Sequence, residues 1–176
     1  MEEWLRTKFF IYGENMIIIL FFVSQTIIPD FPVNSEDYPG SSPQVFPAIA
    51  TYDSGGVIIW YDLRVPTYGM QVFGSLINIS GDTINSNFRL NDDTTNACMS
   101  QPSIDNDTNG NFVITYIQRQ NVLARRFNKL GVPYGPSFRV NTSSGCQFPS
   151  IAVLPTGRFV IVWLKSNENK IYGQVF

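Results

Sequence analysis

Short apolar runs separated by polar turns recur along residues 31–176 of this chain. In the last third these runs are CQFPSIAVL (146–154), FVIVWL (159–164) and IYGQVF (171–176). Runs of this length, rich in β-branched and aromatic residues, favour strands, and the Thr-Gly and SNENK segments between them favour turns. Because FVIVWL is apolar throughout, we predict that this strand is buried on both faces.

The same motifs occur three times. They are FPVN (31–34), FRLN (88–91) and FRVN (138–141); QVFPAIA (44–50), SQPSID (100–105) and CQFPSIA (146–152); GGVIIW (55–60), GNFVITY (110–116) and GRFVIVW (157–163); and VFGSLIN (72–78), VLARRFN (122–128) and IYGQVF (171–176). A repeat of about 50 residues that encodes four short strands is typical of a propeller blade. The sequence therefore predicts an all-β, β-propeller-like domain over 31–176. Its four-stranded antiparallel blades would span about 42–91, 98–141 and 146–176, and 31–34 would add one strand.

Two sets of residues recur at fixed places and are predicted to be structural. Trp60, Tyr116 and Trp163 close the second strand of each copy. Burying one such ring removes about 150–250 Å² from water, worth about 4–6 kcal/mol gross, so we expect them in the core between blades. The second set, in the first strands, is Pro47, Pro102 and Pro149.

Three blades are fewer than the 4–8 of known propellers. The motifs also begin with a fourth strand and stop after a third. We expect one of three arrangements: a longer protein of which this chain is the start, two chains that close one ring, or an open stack.

The first 30 residues differ in character. Arg6 and Lys8 precede the apolar run MIIILFFV (16–23). A basic start followed by a short apolar run is typical of a secretory signal, so 1–30 is predicted to be a signal peptide or a membrane anchor. A strand or helix packed on the repeats is the alternative. Secretion or display at the cell surface follows from the first interpretation, and the membrane would then be contacted only by this segment.

Composition excludes several kinds of chemistry. The chain has no histidine, which removes Ser-His-Asp and Cys-His catalysis and His-ligated zinc. The net charge is −2 without a basic cluster, so nucleic acid is not an expected partner. Cys98 and Cys146 form either one disulfide, if the chain is exported, or two buried thiols.

One segment suggests a metal. DNDTNG (105–110) begins like a calcium loop, with Asp105, Asp107 and Asn109 as candidate oxygen ligands. Tyr116 stands where an EF-hand requires Glu, and the corresponding turns DSGG (53–56) and PTGR (155–158) lack this pair of carboxylates. A polar hairpin turn is the alternative, because Asp, Asn and Gly favour turns. No other cofactor is predicted.

No catalytic residue is predicted. The first strands begin near Gln44, Gln101 and Gln147 rather than near paired carboxylates, which glycoside hydrolysis requires. Asp62 and Arg64, two residues apart, are expected to form a structural ion pair.

The consensus QxxPxIA, GxFVIVW, IYGQxFN and FRVN resembles propeller-type repeats of large secreted or surface proteins of bacteria. The resemblance covers residues 31–176, and Asp62 and Arg64 match its loop after the Trp. The second copy departs from it at Tyr116 and at Leu123-Ala124. The resemblance implies the propeller fold and says little about activity. Because Gln44, Gln101 and Gln147 stand at the first-strand starts instead of acids, we expect a non-enzymatic module for binding or display, with protein or glycan ligands. Self-association that closes the ring is a further expectation from the number of blades. The alternative is a fragment of a sialidase- or glycosidase-like propeller enzyme whose catalytic residues lie outside this chain.

Overall fold

The computed structural model describes residues 10–12, 15–17, 30–34, 42–64, 67, 69–85, 87–92 and 102–176. The chain divides into two compact units, Met1–Asp30 and Phe31–Phe176. In the first unit, strands Phe10–Tyr12 (β1) and Asn15–Ile17 (β2) form an antiparallel pair. Whether this unit is a signal peptide or an anchor stays a prediction.

The second unit contains eleven strands among its described residues. They are Gln44–Tyr52 (β3), Gly55–Asp62 (β4), Gln71–Asn78 (β5), Phe88–Arg89 (β6), Ser103–Asn106 (β7), Phe112–Gln118 (β8), Asn121–Phe127 (β9), Phe138–Arg139 (β10), Cys146–Val153 (β11), Phe159–Lys165 (β12) and Lys170–Val175 (β13). In the described ranges, all regular segments longer than one residue are strands and none is a helix. The all-β prediction is therefore confirmed.

The strands form three antiparallel sheets in which each strand pairs with the next one along the chain. Sheet 1 contains β3–β6 and sheet 2 contains β7–β10, four strands each. Sheet 3 contains β11–β13 and has three strands. The three sheets correspond to the three sequence copies, and they do not close into a ring within the described residues.

Glycine shapes the turn that follows the third strand of sheet 2. Gly131 has φ +79°, a left-handed conformation that L side chains rarely adopt. A Cβ on Gly131 would also lie 2.8 Å from the ring of Phe88, which belongs to sheet 1. The Phe88 ring of sheet 1 therefore packs against the turn at Gly131 in sheet 2.

Two apolar clusters hold the sheets together, and β8 contributes to both. Phe112, Ile114 and Tyr116 pack with residues of sheet 1. Val113 and Ile117 pack with residues of sheet 3. Because successive side chains of a strand point to opposite faces, β8 is buried on both sides by its two neighbours.

Sheet 3 is covered on one face only. Phe159, Ile161 and Trp163 of β12 face sheet 2 and are buried, whereas Val162 between them is 38% exposed. The prediction that this strand is buried on both faces is therefore wrong. The physical reason is that no described sheet follows sheet 3, although β12 has the same apolar sequence pattern as β4 and β8.

Candidate functional site

Two exposed phenylalanines have a strained backbone. Phe46 has φ +57° and Phe148 has φ +51°, both in the left-handed region that bulky residues avoid. Their side chains are 39% and 58% exposed. A non-glycine residue in this conformation costs about 1–3 kcal/mol and persists only where the surrounding structure enforces it.

The following prolines explain this conformation. Pro47 and Pro149 lack an N–H group, and the pairing of β3 with β4 and of β11 with β12 shifts register at these positions. The resulting bulges turn the preceding Phe outward. In sheet 2, Pro102 is buried and directly precedes β7, and Gln101, which corresponds to the two phenylalanines, lies outside the described residues.

The register shows that Gln44 and Gln147 are not at equivalent positions. Gln44 lies opposite Asp62, two residues beyond Trp60. Cys146 lies opposite Lys165, two residues beyond Trp163. Gln44 therefore corresponds to Cys146, as in the motifs QVFPAIA and CQFPSIA, and Gln147 is one position further along its strand.

A buried network of polar side chains lies at the carboxyl end of β4. The Nη2 and Nε atoms of Arg64 donate to Oδ2 of Asp62 at 2.6 and 2.9 Å. The indole N–H of Trp60 donates to the same oxygen at 2.9 Å, and Arg64 lies over the ring of Phe73. Asp62 is fully buried and Arg64 is 8% exposed, so the expected ion pair exists and is an internal contact.

The recurring aromatic residues are buried in all three sheets. Tyr116 belongs to the cluster between sheets 1 and 2, and Trp163 belongs to the cluster between sheets 2 and 3. Trp60 is buried but belongs to neither cluster, since it lies on the face of β4 opposite to Ile59 and Tyr61, which face sheet 2. These rings pack inside the protein rather than forming an exposed platform.

The DNDTNG segment lies at the β7–β8 turn, and its two carboxylates have different partners. Oδ2 of Asp105 accepts the N–H of Val153 at 2.6 Å, which joins β7 to β11. Asp107 accepts the N–H groups of Asn109 and Asn111 through Oδ1 at 2.9 Å, and the side-chain amide of Asn111 donates to Oδ2. Asp107 therefore stabilises the turn by accepting backbone N–H groups.

The same turn is built elsewhere without a carboxylate. Oδ1 of Asn128 accepts the N–H groups of Leu130 and Val132 at 3.0 Å. Oδ1 of Asn78 accepts the corresponding two groups at 2.9 Å. Because a neutral amide oxygen accepts the same two N–H groups, the turn does not require a carboxylate at position 107.

The calcium site stays a prediction. The described residues contain no cluster of three or more acids, cysteines or histidines that would hold a metal.

A shallow polar cleft of about 450 Å³ opens beside this turn. Sheet 1 contributes its β3–β4 turn and sheet 2 contributes the turns after β7 and β9. The lining is rich in amide and charged groups and includes Asp53, Asn109, Asn128 and Lys129. Such groups can bind hydroxyl-bearing ligands, and Tyr52 and Leu130 add apolar surface to the lining.

Two carboxyl groups have a lowered pKa. Burial raises the pKa of Asp92, but hydrogen bonds from Ser137 and the nearby Arg125 outweigh burial and hold this pKa below its usual value. Hydrogen bonds from Tyr172 and Lys165 lower the pKa of Glu168. A general acid requires the opposite shift, so neither group is suited to that role.

Cys146 has a free, buried thiol whose pKa is raised by burial. Cys98 lies outside the described residues, so the choice between a disulfide and two buried thiols stays open. Within the part of the chain that the structure describes, no helix is long and apolar enough to cross a membrane.

Sequence reasoning missed the strained phenylalanines and the turn-forming asparagines. The repeated F-P pair in QVFP and CQFP was a usable signal for the first, because proline disrupts a strand. The Asn or Asp three residues before Gly81, Gly110 and Gly131 was a signal for the second. A scan against protein-family models finds no match, and no curated protein shows significant similarity to this chain.

Proposed function

We propose that residues 31–176 form blades of a β-propeller-type array in an exported or cell-surface protein, and that this array is a non-enzymatic glycan-binding module. The stacking of the first strands supports the architecture. β3 packs beside β7, and β7 packs beside β11. First strands that lie side by side are the inner strands of propeller blades.

The exposed, strained pair Phe46 and Phe148 carries the proposal of binding. Backbone outliers of this kind are found at binding sites. The Phe46 ring meets Tyr61 edge to face and still leaves 39% of the residue exposed. The rings occupy corresponding positions on the two first strands that flank β7. A flat aromatic face suits the C–H face of a sugar ring.

Neighbouring polar groups favour a glycan over a protein ligand. Gln147 and Ser150 are exposed on the same strand as Phe148. An amide and a hydroxyl both donate and accept hydrogen bonds, as sugar hydroxyls require. A stable protein–protein interface buries about 800 Å² per partner, more than two separated rings supply.

We also propose that this module has no catalytic activity. Asp62, Asp105 and Asp107 each accept hydrogen bonds from protein groups. No observation favours the alternative of a glycosidase fragment.

The test is co-sedimentation of the purified chain with insoluble cellulose, chitin, xylan and mannan. We expect binding to at least one polysaccharide and a loss of at least about tenfold in the Phe46→Ala/Phe148→Ala double variant, from the loss of about 1.4 kcal/mol or more. Tyr134→Ala is the matched control. Tyr134 is also an exposed aromatic residue, but it lies in the turn between β9 and β10 and not on a first strand.

Three results would contradict the proposal. The first is the absence of binding to all four polysaccharides. The second is binding that the double variant retains. The third is release of reducing sugar from any of them, which would instead support an enzyme.

A further inference from the structure

The polar cleft beside the β7–β8 turn lies where three turns of two sheets meet. The β3–β4 turn of sheet 1 forms one side, and the β7–β8 and β9–β10 turns of sheet 2 form the other. Its volume of about 450 Å³ lies within the range of small-ligand sites, about 300–1,000 Å³. The cleft lies at the end of β3, whereas Phe46 lies near the beginning of β3 and Phe148 lies in sheet 3. It is therefore separate from these two aromatic rings.

Tyr52 gives the cleft an aromatic wall. By strand register, Tyr52 occupies the position in sheet 1 that the turn-stabilising Asp107 occupies in sheet 2. A Cβ on Gly110 would lie 3.1 Å from the Tyr52 ring and 3.2 Å from Cβ of Lys129. Gly110, with φ +81°, thus allows both side chains to lie close to the turn. Tyr52 is half-buried, and its exposed part lines the cleft.

Asn128 supplies a hydrogen-bond donor of fixed orientation. Its Oδ1 accepts the N–H groups of Leu130 and Val132, which holds the side-chain amide in place. In sheet 1 the corresponding Asn78 donates its Nδ2 to Asp82 at 3.0 Å. Sheet 2 has Val132 at the position of Asp82, and Nδ2 of Asn128 donates to no described residue. This donor is therefore available to a ligand in the cleft.

Two opposite charges in the cleft are also available to a ligand. Asp53 and Lys129 are exposed, and neither forms a hydrogen bond or an ion pair with a described residue. Because the two charges offset each other, the cleft favours a neutral ligand over an ion. Asn109 and Ser54 add an amide and a hydroxyl to the lining. Together these groups donate and accept hydrogen bonds, as the hydroxyls of a sugar require.

We propose that this cleft is a second binding site, which takes one neutral sugar ring of a mono- or disaccharide. The C–H face of the sugar stacks on Tyr52, and Asp53 accepts hydrogen bonds from its hydroxyls. Asn109, Asn128 and Lys129 donate hydrogen bonds to other hydroxyls of the same ring. The site does not depend on the aromatic pair of the first strands, so each site can be tested without the other.

The test is an amide NMR titration of the full chain with glucose, galactose, mannose, xylose and N-acetylglucosamine, one sugar at a time. For at least one sugar, we expect saturable shifts of the amides in 53–54, 108–111 and 128–131. The dissociation constant should be on the order of millimolar, because so small a ligand makes few contacts. The Phe46→Ala/Phe148→Ala double variant should show the same shifts, which separates this site from the aromatic pair.

Three single variants test the residues of the cleft. Asp53→Ala should weaken binding at least about tenfold, because hydrogen bonds to a charged group are lost. Asn109→Ala should weaken it about threefold to tenfold, because a neutral hydrogen bond is lost. Thr156→Ala is the matched control for Asn109→Ala and should bind like the wild type. Thr156 precedes Gly157 in sheet 3 as Asn109 precedes Gly110 in sheet 2, but it lies outside the cleft.

Three results would overturn the proposal. The first is the absence of saturable shifts in these turns with all of the sugars. The second is binding that Asp53→Ala and Asn109→Ala leave unchanged. The third is the loss of these shifts in the Phe46→Ala/Phe148→Ala double variant, which would assign the sugar to the aromatic pair and leave the proposed function intact.

Discussion

Asp107 offers the sharpest test of the turn at 107–111. Removing its side chain in Asp107→Ala leaves the N–H groups of Asn109 and Asn111 without their acceptor. Each lost hydrogen bond costs about 0.5–1.5 kcal/mol, so we expect a loss of about 1–3 kcal/mol in the free energy of unfolding. For a domain of this size, each kcal/mol lowers Tm by about 2–4 °C, which predicts a fall of about 2–12 °C.

Asp107→Asn distinguishes the turn role from metal binding. The amide oxygen can accept the same two N–H groups, as Asn128 does in sheet 2, so we expect a loss below about 1 kcal/mol. Asn128→Ala is the matched control and should cost as much as Asp107→Ala. Thermal unfolding followed by circular dichroism, with calcium and with chelator, measures all three variants.

Two outcomes would refute this reasoning. One is an Asp107→Ala variant as stable as the wild type. The other is a calcium-dependent rise in the Tm of the wild type that Asp107→Asn abolishes, because a ligand that binds only the folded state raises its stability and the loss of a carboxylate ligand removes that effect.

Further predictions concern a turn, a buried ion pair and a titrating carboxyl. Gly131→Ala should lower the free energy of unfolding by about 1–3 kcal/mol, because φ is +79° and the added methyl meets the Phe88 ring, whereas Gly135→Ala, with open space around it, should leave it unchanged in urea titrations. Asp62→Ala should cost about 3–5 kcal/mol in the same assay, since it leaves the buried guanidinium without its carboxylate. Asp92 has a lowered folded-state pKa, so its stabilisation is complete above its ordinary value of 3.8 and is lost as the pH falls through the lower folded-state value. Asp92→Asn should therefore flatten the stability profile in this acidic range, and an unchanged profile would contradict this assignment.

Much of the fold was accessible from the sequence because the pattern is repeated. Apolar runs of β-branched residues and glycine-containing turns specify strands and hairpins locally, and three copies make each interpretation more secure. The strand boundaries of β11, β12 and β13 accordingly lie within one residue of the predicted runs. The candidate site was less accessible, since the bulges at Pro47 and Pro149 depend on strand pairing.

What the sequence alone determined is therefore the strand content, the order of the strands and the identity of the repeating unit, all of which depend on contacts between near neighbours in the chain. Only the tertiary structure decided which strands are buried on both faces. β8 and β12 have similar apolar patterns, yet β8 lies between two sheets and β12 is covered on one side. The tertiary structure also decided the role of Asp105, which accepts the N–H of Val153 in the next sheet, and the exposure of Phe46. Burial, register and contacts of this kind depend on groups that are distant in sequence.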